Sequence, residues 1–190
     1  MMAMIEVRWH GRGGQGAKTA SQFLGEAALN TGKYIQAFPE YGPERAGAPM
    51  RSYTRISDKT ITVHSSVTNP DIVVVIDPTL VGSIDVTEGL GDKGVILVNT
   101  DKIPQEMRKE LNFTKGKVAT VDATKISLET LGMPMPNMPM LGALLKVNNL
   151  VSIEELSERV RAKFSKKIGE EKTNANIEGI KRAYKEVNIG

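Results

Sequence analysis

The chain has 190 residues, 40% of them hydrophobic and 25% charged, with a formal net charge of +3. These values describe a folded chain of one-domain size, and so small and mixed a charge gives no case for nucleic acid as a partner. There is no cysteine, which removes disulfides, cysteine-ligated iron–sulfur clusters and cysteine nucleophiles from this chain and fits a reducing cytoplasm.

No apolar run approaches the ~20 residues that span a bilayer, so no membrane segment is expected. The N-terminus lacks a basic stretch followed by an apolar one, and no signal peptide is expected. Ile5–His10 alternates in polarity and predicts the first strand. Gly11-Arg12-Gly13-Gly14-Gln15-Gly16 follows, with Gly11, Gly13 and Gly16 at the G-x-G-x-x-G spacing. Ala17–Asn30 then carries Ala20, Phe23, Leu24, Ala27 and Ala28 at helical spacing, and Gly32 is placed to stop that helix. A glycine turn that opens a helix can seat an anion, because the first helical amides have no intrahelical partner and lie at the positive end of the dipole. The same glycines also serve plain close packing of strand on helix, and the spacing alone does not separate the two uses.

Tyr34–Phe38 predicts a second strand, completing a parallel β–α–β unit. In Pro39–Pro49, three prolines and two glycines predict no regular element, yet Tyr41, Glu44 and Arg45 give the stretch more chemistry than a spacer needs. The loop is expected on the same sheet edge as the glycine turn. Met50–Ser57 and Thr60–Val63 read as a hairpin. Asp71–Ile76, Gly94–Asn99 and Lys117–Val121 read as buried strands. Short helices are expected near Thr79–Ser83 and at Pro104–Glu110, and a longer one at Ala123–Leu131. Met133–Pro139 is expected to be extended because of its alternate prolines, and serves either as a rigid connector or as a methionine-rich contact surface. Met140–Val147 predicts an apolar helix. Ser152 and Glu155 form a capping box for a helix to about Phe164, and Asn174–Val187 is a last amphipathic helix beyond a solvated Lys166–Lys172 stretch.

His10 and His64 have no metal-ligand spacing and read as structural. Trp9 points to the opposite side of the strand from His10 and reads as core. Asp77, Asp101 and Asp122 follow strand ends and read as helix caps, with polar ligand contacts the alternative. No G-x-S-x-G elbow or Walker A sequence is present. The expected fold is a single α/β, three-layer Rossmann-like domain over residues 4–190 with a mostly parallel, mixed sheet.

Three stretches taken together, Gly11–Gly16, then Tyr41-Gly42-Pro43-Glu44-Arg45 with Gly47, then Asn137 with Met140-Leu141-Gly142-Ala143, resemble the gamma subunit of 2-oxoacid:ferredoxin oxidoreductases, the pyruvate-using type nearest. The likeness covers about Ile5 to Tyr184. It implies a complex that oxidatively decarboxylates a 2-oxoacid with CoA and reduces ferredoxin, reversibly. Thiamine diphosphate, Mg2+ and iron–sulfur clusters would sit in partner chains: alpha and beta subunits for thiamine, a delta subunit for the clusters. This chain would be an accessory subunit near the CoA and substrate region, with no cofactor and no catalytic residue of its own. Gly11, Gly13, Gly14, Gln15 and Gly16 are its candidate ligand residues, with CoA or a purely structural turn as the two readings. Tyr41, Glu44 and Arg45 are its candidate partner interface. A stand-alone NAD-dependent oxidoreductase, a purely structural assembly module and a gamma subunit for another 2-oxoacid are the competing readings.

Overall fold

Strands in this chain divide by what covers them. Ile72–Val75 (β4) and Val95–Asn99 (β5) are buried at every position, as a strand with both faces covered must be. They lie at the centre of a seven-stranded sheet in the computed structural model, which describes residues 4–40 and 47–190. The other strands are Ile5–Arg12 (β1), Tyr34–Glu40 (β2), Pro49–Ser57 (β3), Lys117–Val121 (β6) and Asn188–Ile189 (β7). Their order is β2-β3-β1-β4-β5-β6-β7. β1, β4, β5 and β6 pair in parallel, while β3 is antiparallel to both β1 and β2, and β7 to β6.

Helices Ala17–Leu29 (α1), Ala123–Leu131 (α3), Asn137–Val147 (α4), Ile153–Ile168 (α5) and Glu170–Glu186 (α6) share one large apolar core that includes Val7, Trp9, Val74 and Leu97 of the sheet. Pro104–Glu110 (α2) and a 3-10 turn at Pro78–Leu80 cover Val73, Val75, Ile96 and Val98 on the opposite face. The expected three-layer α/β domain with a mixed sheet is therefore present. Gly142 lets α4 and α6 meet backbone to backbone, because a Cβ there would stand 2.0 Å from the Ile180 carbonyl oxygen.

Several elements differ from the expectation. β1 and β2 run in the same direction but are not neighbours: β3 lies between them, pairing Ile5 with Ile56 and Tyr34 with Ser57. Thr60–Val63 forms no strand, so the expected hairpin is replaced by the β2–β3 pair. β2 continues to Glu40 and β3 starts at Pro49, so the proline-rich stretch is regular at both ends. An edge strand tolerates Pro39, since only one of its sides must donate to a ladder. α4 begins at Asn137, with Pro136 as its N-cap and Pro139 still in its first turn, where amides have no helical partner to lose. α5 and α6 extend through most of Lys166–Lys172, broken only at Gly169, whose φ is +84°. Val118 and Gly190 exchange backbone hydrogen bonds at β7, a strand the sequence pattern did not suggest.

Candidate functional site

The glycine turn follows β1 at the C-terminal edge of the parallel strands. Gly14 and Gly16 have φ of +96° and +80°, which L side chains rarely adopt. Gly16 is also the N-cap of α1 and packs under Asn137: a Cβ on Gly16 would lie 2.5 Å from Asn137 Nδ2. Gly11 has a different task. A Cβ there would lie 3.3 Å from the Ala17 Cβ, so this glycine sets the close approach of strand and helix.

Gln15 folds back into the turn. Its Oε1 accepts from the Arg12 amide at 2.8 Å, and its Nε2 donates to Asp77 at 2.7 Å. Asp77 also accepts from the Thr79 amide at 2.9 Å and the Thr79 hydroxyl at 2.7 Å, and pairs with Arg12 Nε at 3.1 Å. Burial raises the Asp77 pKa, but hydrogen bonds from Thr79 and Gln15, with the Arg12 charge, outweigh it and hold the carboxyl below its ordinary value. Asp77 is thus a cap, as expected, and an anchor for the turn as well. Asp122 caps α3 through the Lys125 amide, while Asp101 caps nothing, because Ile103 occupies the N-cap of α2.

A cavity of about 580 Å3 opens beside the turn. Gly13, Gly14 and Gly16 form one wall with the first turn of α1, Ala17, Lys18 and Thr19. Met50, Met133, Met135, Met138 and Phe164 supply apolar walls, and Asn176, Asn137, Lys167 and Lys172 supply the other polar groups. Sequence reasoning did not mark these last three as site residues. Asn137 was visible only as part of a resemblance, and Lys167 and Lys172 read as a solvated connector. Only their place at the α5–α6 junction brings them to the turn.

Tyr41, Glu44 and Arg45 lie outside the described residues. The flanks of their segment do reach the glycine turn: Gly13 donates to Ala48 O at 3.2 Å, and Arg12 Nη1 to Gly47 O at 3.2 Å. His10 is fully buried, and its Nε2 accepts from Arg8 Nε at 3.0 Å. Because a guanidinium only donates, the neutral ring carries its proton on Nδ1, which has no hydrogen-bond partner among the described residues. Burial first, then the charges of Arg8 and Arg51, lower the His10 pKa to about 3. Trp9 lies in the core with its indole N–H on Thr54 Oγ1. Among the described residues no group of three His, Asp or Glu is arranged to hold a metal ion, and no helix is long and apolar enough to cross a membrane.

An open α/β sheet with a glycine turn, a helix N-terminus without a side-chain cap and a cavity at its carboxyl edge defines the Rossmann-like class of α/β domains. The family model for pyruvate ferredoxin/flavodoxin oxidoreductase matches residues 6–186, and the chain belongs to that family. It is 53% identical over 183 residues to pyruvate synthase subunit PorC of Thermotoga maritima, covering 96% of this chain and 94% of the relative. It is 48% identical over 179 residues to the pyruvate/ketoisovalerate oxidoreductases common subunit gamma of Thermococcus kodakarensis, covering 94% and 97%. The crystal structure of pyruvate oxidoreductase subunit PORC from Thermotoga maritima superposes with a TM-score of 0.89 at 48% identity, covering 100% of this chain and 99% of that one.

Proposed function

We propose that this chain is the gamma subunit of a pyruvate synthase, the complex that converts pyruvate and CoA to acetyl-CoA and CO2 with reduction of ferredoxin. The observation that carries the reading is end-to-end likeness to PorC in both sequence and fold. The residue inventory supports an accessory role. With no cysteine, the chain does not suit cysteine-ligated iron–sulfur clusters. The clusters, thiamine diphosphate and Mg2+ belong to alpha, beta and delta partners on this reading. No step of the chemistry is assigned to a residue here.

Gly13, Gly14 and Gly16 present the ligand-facing side of the turn, while Gly11 and Gln15 fix its shape. CoA is the ligand that this reading implies. Tyr41, Glu44 and Arg45 are proposed as the partner contact, because the Glu40 and Gly47 flanks of that segment border the same sheet edge. The relative named as common to pyruvate and ketoisovalerate oxidoreductases supports a gamma subunit that leaves selection of the 2-oxoacid to other chains.

The test is omission and reconstitution. The purified chain alone should reduce no ferredoxin and bind no NADH. Added to its separately purified partner chains, it should restore CoA-dependent pyruvate oxidation. A chain that binds NADH by fluorescence and stays monomeric beside those partners would instead be a stand-alone oxidoreductase domain.

A further inference from the structure

We propose that Asp77 is a positioning residue for the glycine turn: it orients Gln15, Gln15 orients the Arg12 amide, and the order of donors and acceptors in this chain of contacts sets the affinity of the turn for CoA. The proposal rests on the reading of that turn as ligand-facing.

The geometry is a closed ring behind the turn. The Arg12 amide donates to Gln15 Oε1 at 2.8 Å, and Gln15 Nε2 donates to Asp77 Oδ2 at 2.7 Å. The Thr79 hydroxyl donates to Asp77 Oδ1 at 2.7 Å and accepts from Arg12 Nη2 at 3.1 Å, which leads back to the starting residue. Each direction is forced. A backbone N–H and a guanidinium only donate, and an ionised carboxylate only accepts. The Gln15 carboxamide therefore has one orientation, oxygen toward Arg12 and nitrogen toward Asp77.

Gly13, Gly14 and Gly16 line the cavity, whereas Arg12, Gln15, Asp77 and Thr79 do not. Asp77 is 5% exposed and stands just beyond β4, the parallel neighbour of β1, where the Ile76 amide donates to His10 O at 2.8 Å. It meets the ligand-facing glycines only through Gln15 and Arg12. The backbone of the turn is tied at three amides: Arg12 to Gln15 Oε1, Gly13 to Ala48 O at 3.2 Å, and Gln15 to Arg12 O at 3.1 Å. Gly14 and Gly16 have no side chain to hold them at their positive φ, so these ties set where they stand. Such a ring acts as a unit, because reversing one member leaves the next donor or acceptor unmatched.

The test is a swap of polarity. Asp77→Asn keeps the side-chain shape and can still accept from the Thr79 amide, but it turns a nitrogen toward two donors, Gln15 Nε2 and Arg12 Nε. Gln15→Glu sets a second carboxylate against Asp77. The double variant Gln15→Glu/Asp77→Asn restores the order at unchanged total charge: the new carboxylate accepts from the Arg12 amide and from the new carboxamide nitrogen. The assay is CoA-dependent pyruvate oxidation by the reconstituted complex, at a temperature where circular dichroism shows every variant folded. Each single variant should raise the KM for CoA about tenfold to a hundredfold, with a far smaller change in kcat at saturating CoA. The double variant should return the KM to within about threefold of wild type. Where a single variant fails to assemble, Gln15→Met, which keeps the length of the side chain and ends the ring without opposing like groups, should show the same rise.

Lys18→Glu tests the ligand reading by itself. It lies in the first turn of α1 at the cavity wall, where an acidic side chain suits the helix dipole and opposes an anionic ligand. If Lys18→Glu raises the KM for CoA and both ring variants stay within about twofold of wild type, the ring is wrong and the ligand reading stands. A double variant no better than the worse single one also overturns the ring. If Lys18→Glu leaves the KM unchanged, CoA does not seat at the turn and both fall.

Discussion

The two faces of β1 solve the same burial problem with opposite chemistry. Val7 and Trp9 point toward α1 and join the large apolar core. Arg8 and His10, one residue out of phase, point the other way and are equally buried. Among the described residues no helix packs over this second face at β1 and β3. Loops cover it, and a loop brings backbone carbonyls that need donors. Arg8 donates to Val86 O and Glu88 O as well as to His10, and Arg55 donates to Val63 O, Ser65 O, Gln36 and Glu6. The buried arginines thus do for loops what leucines do for helices. The difference teaches that apolar cover tolerates exchange of shape, whereas polar cover depends on each donor reaching its own acceptor.

Acid should separate the two faces most sharply. Folded His10 stays neutral down to about pH 3, while in the unfolded chain it titrates near 6.5. Unfolding therefore takes up a proton between those values. Stability from this group is complete above pH 6.5 and is lost progressively as pH falls toward 3, by about 4–5 kcal/mol. Asp77, Asp85 and Glu26, all held below their ordinary values, add losses at the low end of the same range. Urea unfolding followed against pH should show the slope between pH 6 and 4. His10→Gln, which keeps an acceptor for Arg8, should flatten it. An unchanged slope would mean that the His10 ring is not held neutral.

A smaller effect comes from Arg8→Lys. An ammonium cannot reach His10 and two carbonyls together, so at least one buried acceptor loses its donor, at about 2–3 kcal/mol. Leu144→Met on the apolar side should cost less than ~1.5 kcal/mol. Equal losses in thermal melts of the two variants would erase the contrast. Smallest is Ser152→Ala, on α5 and remote from both faces of β1. It removes the capping box with Glu155 and should lower stability by about 1 kcal/mol, leaving the acid slope untouched.

What could be read ahead of the structure follows the range of the forces involved. Ile72–Val75, the Ser152 cap and the Gly132 stop are local signals and were legible. The place of β3 was not, because nothing in Met50–Ser57 states that both its edges are used; pairing Ile5 with Ile56 is a long-range fact. Pro139 misled for a similar reason: a proline breaks a helix interior but not a first turn, and the start of α4 at Asn137 is set by packing against α6. At the site, the glycine turn was visible from its spacing alone. Asp77 read as a cap or a polar ligand contact, not as the anchor that holds Gln15 and Arg12, and Lys167 and Lys172 gain meaning only where the α5–α6 junction meets the turn.

The insertion of β3 between β1 and β2 also bears on how a growing chain gains order. Strands in a parallel crossover must wait for a distant partner, whereas an antiparallel pair closes over a short loop. Here β2 and β3 are joined by the stretch between Glu40 and Pro49, and β1 completes the group by adding to the free edge of β3. By Ser57 the ribosome has supplied β1, α1, β2 and β3, enough to lay α1 across three paired strands and shelter Trp9 and Phe23. β4 and the crossovers after it then extend a sheet edge that already exists, so the nascent chain need not hold its most apolar strand open to water while it waits.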